Sequence, residues 1–332
     1  MKIINVNAGE FVSIVDASIV VGSSLIYSRN FERAYSMVEF RPELESLQEE
    51  PCNRLRRFVD GEGYGFRFPN PIYKVGSFCV DVIPLNLLHP YNYFHFLIES
   101  LPSLLSLVQG GLVSKDSLLV SGYMHENMQS ALNIALNDFR VPLLQLELAQ
   151  YIECDRVVTT PDSFHASELL SGVLSDFTYS EVNLKRLQNT FRKYWSPQSS
   201  QPSQKIYIHR PSPTRQLVNS SGLAMLAQSY GYRVVDPGTL SFSEQVDLFS
   251  SSSRIIGPTG AWAANLAFVP NGARVTVLMP STCCYAPSIW THLGNVFGVE
   301  VLDISCRVHK LHPYHPIHSD FYISDEEFSA LL

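Results

Sequence analysis

The polar and apolar positions change rhythm several times along the chain, and each rhythm predicts an element. Short apolar runs at 11–21, 23–27 and 76–84, broken by Gly, Asn and Asp, predict a β-rich start over residues 1–85. At Pro90 the pattern turns helical, and residues 91–108 predict a long apolar helix interrupted near Pro102. A strand at 118–120, a helix at 126–139 and strands at 142–148 and 156–159 follow. Residues 181–195 predict an amphipathic helix with Leu184, Leu187, Phe191 and Tyr194 inside. Its outer face carries Lys185, Arg186, Arg192 and Lys193, read first as a solvated face and second as a contact for anionic lipid.

Residues 196–204 are polar and rich in Pro and Ser, which predicts a linker. It separates a first domain at 1–198 from a second at 205–332, with 199–204 as the joint and the final stretch expected to pack back on the first domain. Beyond the linker the alternation is regular. Strands at 206–209, 232–235, 254–256, 275–279 and 300–304 alternate with helices at 219–230, 241–249, 261–268 and 289–297. Ser241-Phe-Ser-Glu244 reads as a capping box. Strand–helix alternation of this kind builds a parallel sheet, with ligands at the carboxyl ends of its strands.

Composition narrows the class. The 332 residues are 45% apolar and 17% charged, as in an ordinary globular protein with room for two cores. A net charge of −7 argues against a general nucleic-acid binder. There is no secretory signal pattern and no apolar run long enough to span a membrane, so the expected location is cytoplasmic. The six cysteines lack a Cys-x-x-Cys spacing and read as reduced thiols.

Two features of the second half point to an anion. The run Lys205-Ile-Tyr-Ile-His-Arg210 ends a strand in an arginine, with Arg215 close behind. Paired arginines grip phosphate oxygens through planar forks of donors. Gly257-Pro-Thr259-Gly260 reads as a turn opening a helix at Ala261, where unpaired N–H groups favour negative charge. Such a turn is also common without a ligand; it is neither G-x-G-x-x-G nor a P-loop. Together the two features predict a site for a nucleoside diphosphate.

In the apolar helix, His95 and Glu99 stand four apart and share a face. They read either as a satisfied core pair or as a general base in an apolar setting. Arg54, Arg56 and Arg57 read as a solvated basic cluster. His309, His312, His315 and His318 are interrupted by Pro313 and Pro316, which predicts a solvated tail rather than a metal face. No Asp-x-Asp occurs, so arginines rather than a metal are expected to screen a diphosphate.

Taken in order, these residues resemble glycosyltransferase family 61. The likeness rests on Asn92-x-x-His95-x-x-x-Glu99-x-x-Pro102, Tyr207-Ile-His-Arg210, Arg215…Asn219, Phe242-x-Glu244-Gln245 and Gly257-x-x-Gly260-Ala261-x-x-x-Asn265-x-x-Phe268. It covers about residues 88–280. The resemblance implies a GT-B-like architecture: two Rossmann-like α/β domains facing a cleft, here with a β-rich N-terminal region. It implies inverting, metal-independent transfer from a nucleotide sugar, expected as a UDP-linked donor, without a cofactor. The acceptor would be a glycan or lipid-linked glycan in capsular or other surface polysaccharide synthesis, with peripheral membrane contact. Carried over by position, Arg210, Arg215, Glu244, Gly257, Thr259, Gly260, Ala261 and Asn265 would bind the donor. Glu99 and His95 would be catalytic, with Glu99 favoured as base, and Asn92 would face the acceptor. Thr259 stands where many relatives have His, which places more of the phosphate charge on the arginines. Two alternatives remain open: a non-catalytic nucleotide-sugar or glycan-binding component of an assembly complex, and a pyruvyl or phosphoglycan transferase on the same architecture.

Overall fold

Apolar runs of two kinds, short alternating ones early and continuous ones late, build two mixed sheets. The computed structural model describes residues 3–5, 11–23, 25–31, 34–35, 56–60, 63–67, 71–137, 139–160, 164–168, 174–194, 202–212, 214–283, 288–313 and 316–332. They form a mixed α/β protein whose residues group into two compact units, chiefly Lys2–Leu170 with Leu174–Leu187, and Gln188–Leu332.

The β-rich start is observed in the first unit. It contains β1 (Ile3–Asn5), β2 (Val12–Val20), β3 (Ile26–Ser28), β4 (Ala34–Tyr35), β5 (Arg56–Asp60), β6 (Gly63–Arg67) and β7 (Tyr73–Leu85). Then come α1 (Tyr93–His95), a π turn (Phe96–Ser100), α2 (Leu101–Gln109), β8 (Leu118–Ser121), α3 (Glu126–Leu136), β9 (Leu143–Gln145), β10 (Gln150–Thr159), β11 (Phe164–Glu168), β12 (Leu174–Tyr179) and the start of α4 (Glu181–Tyr194). The main sheet has the order β4-β3-β2-β10-β7-β8-β9. Its β10-β7-β8-β9 side is parallel and the remainder antiparallel. Ala17, Ile19, Val82, Val120, Ile152 and Val157 fill its core. Arg156 forks onto Asp81 directly across β10 and β7, a cross-strand pair that helps fix the register.

The long apolar helix is interrupted near Pro102, as expected, and the interruption is a π turn just before the proline rather than a break at it. Pro102 has no N–H for the carbonyl of Ile98, and its ring crowds that carbonyl. The backbone widens instead, and Leu101 N–H reaches back five residues to Phe96 O. Phe96, Leu97, Ile98, Leu101 and Leu104 are fully buried, so tertiary packing holds the helix together across this turn. The helix expected at 126–139 stops at Leu136, because Asn137 turns into the left-handed region at φ 48°. The strand expected at 142–148 shortens to β9, and the one expected at 156–159 is the end of the longer β10.

In the second unit the predicted alternation is observed. Its elements are β13 (Gln204–Ile208), α5 (Ser220–Ser229), β14 (Arg233–Val235), α6 (Phe242–Ser250), β15 (Ser252–Pro258), β16 (Arg274–Pro280), α7 (Ile289–Phe297), β17 (Glu300–Lys310), β18 (Asp320–Tyr322) and α8 (Asp325–Ser329). The sheet order is β14-β13-β15-β16-β17-β18, parallel except for β18. Numbering its five parallel strands by sequence gives 2-1-3-4-5, a doubly wound order whose direction switches between β13 and β15. Gly231, at φ 81°, ends α5 as expected, and the Ser241–Glu244 capping box starts α6.

Two expectations in this unit are corrected. The α-helix expected at 261–268 is a 3-10 segment, Ala261–Ala267. It is pinned by Trp262 Nε1 donating to Pro258 O at 2.6 Å and by the Asn265 amide donating to Gln245 at 2.8 Å. The histidine-rich end is not a solvated tail. His309 lies in β17, His312 and His318 pack ring to ring at 5.6 Å, and β18 follows on the same sheet. His315 lies outside the described residues.

In α4, Leu184, Leu187 and Phe191 are buried as expected; the Tyr194 side chain lies outside the described residues. Of the outward basic groups, Lys185 pairs with Glu181, Arg186 bonds Asn183, and Arg192 bonds Asn271 at 2.9 Å. Arg54 and the side chains of Arg56 and Arg57 lie outside the described residues, as do residues 195–201 of the expected linker. Among the described residues no helix is long and apolar enough to cross a membrane.

Candidate functional site

In the first unit the chemistry gathers where the parallel strands β7 and β8 end. Asn86, the first residue past β7, adopts φ 44°, and its N–H donates to Ser100 Oγ at 3.0 Å. Its side chain donates to Pro90 O at 3.2 Å. The loop 86–92 is thereby tied to the π turn. Asn92, expected to face the acceptor, caps α1, and its Oδ1 accepts from the N–H groups of Phe94 and His95.

His95, the last residue of α1, and Glu99, in the π turn, form the predicted pair. His95 Nδ1 and Glu99 Oε1 lie 2.7 Å apart, with side chains 25% and 17% exposed. The pair is therefore reached by solvent and is not sealed in the core. In the neutral tautomer that donates its Nδ1–H to the carboxylate, Nε2 is left as an acceptor. Among the described residues Nε2 has no hydrogen-bond partner. Sequence reasoning missed what surrounds the pair. His89 stacks on His95 at 4.1 Å, and His125, the N-cap of α3, stacks on Tyr93 at 6.0 Å. Burial holds the His125 ring below its usual value, against a smaller opposing pull from Glu126. The available signal was the density of His and aromatic residues around Pro90.

In the second unit the two predicted anion-binding features converge at the switch between β13 and β15. Arg210 follows β13 and Gly260 follows β15, and these strands are hydrogen-bonded neighbours. A Cβ on Gly260 would sit 3.0 Å from both Cδ and Nε of Arg210, so the missing side chain makes room for the arginine stem. The backbone of Gly260 is extended, so the requirement is space alone. The Arg210 guanidinium is half-buried, and burial lowers its pKa. Among the described residues its hydrogen bonds are long, 3.4 Å to Thr214 O and 3.3 Å to Arg215 O. Among the described residues no carboxylate pairs with it. A half-buried cation without a carboxylate is chemically able to take an anion as its counter-charge.

Arg215 sits in a strained left-handed conformation at φ 55°. The histidine-rich end holds it there. Arg215 N–H donates to His318 O at 3.1 Å, Gln216 N–H to Asp320 Oδ1 at 2.8 Å, and Phe321 N–H to Gln216 O at 2.8 Å. Asn219 donates its amide to Ile323 O at 2.7 Å. No local sequence signal links these partners, which lie about a hundred positions apart.

The remaining donor-side candidates are placed differently. Gly257 belongs to β15 rather than to a turn, and a Cβ there would meet Ile208 Cβ at 2.6 Å. It is a close-packing glycine within the sheet. Thr259 is buried, with its N–H committed to Leu278 O, and Ala261 is exposed at the start of the 3-10 segment. Asn265 is fully buried on Gln245. The Glu244 carboxylate receives both the N–H and the hydroxyl of Ser241, bonds that hold its pKa below the usual range.

The family model described as glycosyltransferase 61 matches residues 93–276, a span that includes the His95–Glu99 pair, Arg210 and Gly260. No curated protein matches the chain. More than half of the chain lies within the family match, and the chain belongs to glycosyltransferase family 61 and is a glycosyltransferase.

Proposed function

We propose that this enzyme transfers a sugar from a nucleotide-sugar donor, UDP-linked in the simplest case, to a hydroxyl of a glycan or lipid-linked glycan, with inversion and without a metal. The reading rests on one observation above the others. Arg210 is a half-buried guanidinium with no carboxylate partner among the described residues, at the switch point of a doubly wound sheet. Its task is to receive the charge that develops on the departing nucleoside diphosphate. Arg215 adds a second positive charge from the same loop.

The acceptor hydroxyl gives its proton to His95 Nε2, and its oxygen attacks the anomeric carbon. The carbon–oxygen bond to the diphosphate breaks, and the electron pair leaves with the nucleotide. Glu99, on Nδ1, fixes the tautomer and stabilises the imidazolium that forms. This geometry favours His95 as base and Glu99 as its orienter, the second of the two assignments the sequence left open. Asn92 and Asn265 act by holding backbone and core in place. Synthesis of a capsular or other surface polysaccharide in the cytoplasm, beside the membrane, is the setting this chemistry fits.

Thermal denaturation with UDP, GDP, CDP and ADP and their sugar conjugates, each with and without EDTA, tests the reading. A ligand bound only by the folded state raises the melting temperature. A rise with one nucleoside diphosphate, unchanged by EDTA, supports it; no rise with any of them favours a glycan-binding role without catalysis.

A further inference from the structure

The loops that follow β7 and β8 each expose one tyrosine, and the two rings meet. Tyr91 is 65% exposed and Tyr123 53%, with ring centroids 5.5 Å apart and planes tilted by 32°. Single exposed aromatics occur elsewhere on the protein, as at Tyr73 and Tyr230, but here two are in contact and form a patch. Neither hydroxyl has a protein partner among the described residues.

The loops are built to bring the rings together. Gly122 immediately precedes Tyr123, and a Cβ there would lie 2.2 Å from Pro90 Cβ. Only glycine lets the second loop press against the first at this point. The same two loops also reach the reactive pair. His89, two residues before Tyr91, stacks on His95, and His125, two residues after Tyr123, stacks on Tyr93 of α1. The patch is thus tied on both sides to the helix that carries His95 and Glu99.

We propose that Tyr91 and Tyr123 form a stacking subsite for a neutral sugar ring of the acceptor glycan. One face of a pyranose presents a row of C–H groups, weakly positive and apolar, which complements the negative face of an aromatic ring. The phenol hydroxyls reach the ring's own hydroxyls at the edge. Tyrosine does this with little side-chain entropy to lose. The subsite holds the acceptor by a unit beside the reacting hydroxyl, leaving His95 to act on the neighbouring one. The proposal rests on the nucleotide-sugar reading and adds that the acceptor presents the face of a neutral sugar ring to these two tyrosines.

The test uses the full-length protein and four neutral probes, cellotetraose, xylotetraose, maltotetraose and chitotetraose. Binding is read by saturation-transfer NMR and titration. At least one probe is expected to bind, with saturation concentrated on one ring face. Tyr91→Ala and Tyr123→Ala should each weaken it about tenfold, and Tyr91→Phe should keep most of the affinity. Tyr73→Ala is the control: Tyr73 is equally exposed but opens β7, at the opposite end of that strand. Melting temperatures establish that each variant is folded. If no probe binds, or if both alanine variants bind as the wild type does, the subsite is refuted. Nucleoside-diphosphate stabilisation, measured in parallel, keeps the two ideas apart. If it persists while the glycan result fails, only the subsite falls; if it is absent in the wild type, the nucleotide-sugar reading itself falls.

Discussion

Replacing Arg210 by methionine separates binding from stability in a way a structural arginine would not. Methionine keeps an unbranched stem over Gly260 and removes the charge. Without ligand, the wild type bears the cost of holding an unpaired guanidinium partly out of water. The Arg210→Met protein should therefore melt at the same temperature as the wild type or higher. With ligand the order reverses. A charge-assisted grip on a diphosphate contributes roughly 2.7 kcal/mol, about a 100-fold loss of affinity when removed. At a nucleotide concentration about 100 times Kd, the wild type gains about 2.7 kcal/mol, and the variant, then near its own Kd, about 0.4 kcal/mol. For a protein of 332 residues the expected rise in Tm is roughly 4 °C against well under 1 °C. Differential scanning fluorimetry with the nucleoside diphosphate reads both numbers. An Arg210→Met protein that melts several degrees lower without ligand, yet keeps the full ligand-induced rise, would refute the reasoning.

Three further outcomes follow from the geometry. His95→Gln and Glu99→Gln should each lower kcat by about 10²–10⁴, and the double variant should be no worse than the poorer single one, because the pair acts as a unit; additive losses in steady-state assays would argue for independent roles. Gly257→Ala, whose Cβ would meet Ile208 Cβ at 2.6 Å, should cost about 1–3 kcal/mol in a denaturant titration while the folded enzyme keeps its nucleotide affinity. Loss of affinity at unchanged stability would instead make Gly257 a phosphate cradle. The folded value of His125 lies below its ordinary 6.5, so unfolding takes up a proton. The stability this contributes is present above about pH 6.5 and lost as pH falls through the lower folded value. His125→Asn keeps a capping side chain that does not titrate. Its melting temperature relative to the wild type should rise between about pH 7 and pH 5, and a parallel decline would contradict this.

The second unit was legible in the sequence because its strands and helices alternate at short range, with Gly231 and the Ser241–Glu244 box as local punctuation. What escaped depends on contacts between distant residues. Ala261–Ala267 has helical composition, but its form is decided by Trp262 reaching Pro258 O and by Asn265 reaching Gln245. The π turn required weighing two effects of Pro102 against the burial of Phe96, Leu97 and Ile98. Pairing of His95 with Glu99 was readable from a spacing of four, because both lie on one helix. The roles inside the pair were not, since they depend on which ring nitrogen faces the carboxylate. Arg210 was visible as a strand-end arginine, but the absence of a carboxylate partner among the described residues was not. The hold of Asp320 and His318 on the Arg215 loop joins segments with no common pattern. His89 and Tyr91 flank Pro90 and read as helix entry, and nothing in the sequence ties Tyr123 to them. Exposure, which gives them their meaning, is a property of the fold.

The most direct test of an inverting, metal-independent transfer uses water as the acceptor. The enzyme is incubated in EDTA with a UDP-linked sugar of known anomeric configuration, and the released sugar is followed by proton NMR before it mutarotates. Release that continues in EDTA, with the opposite anomer appearing first, is the predicted result. Release of the same anomer, or activity abolished by EDTA and restored by manganese, would contradict the account.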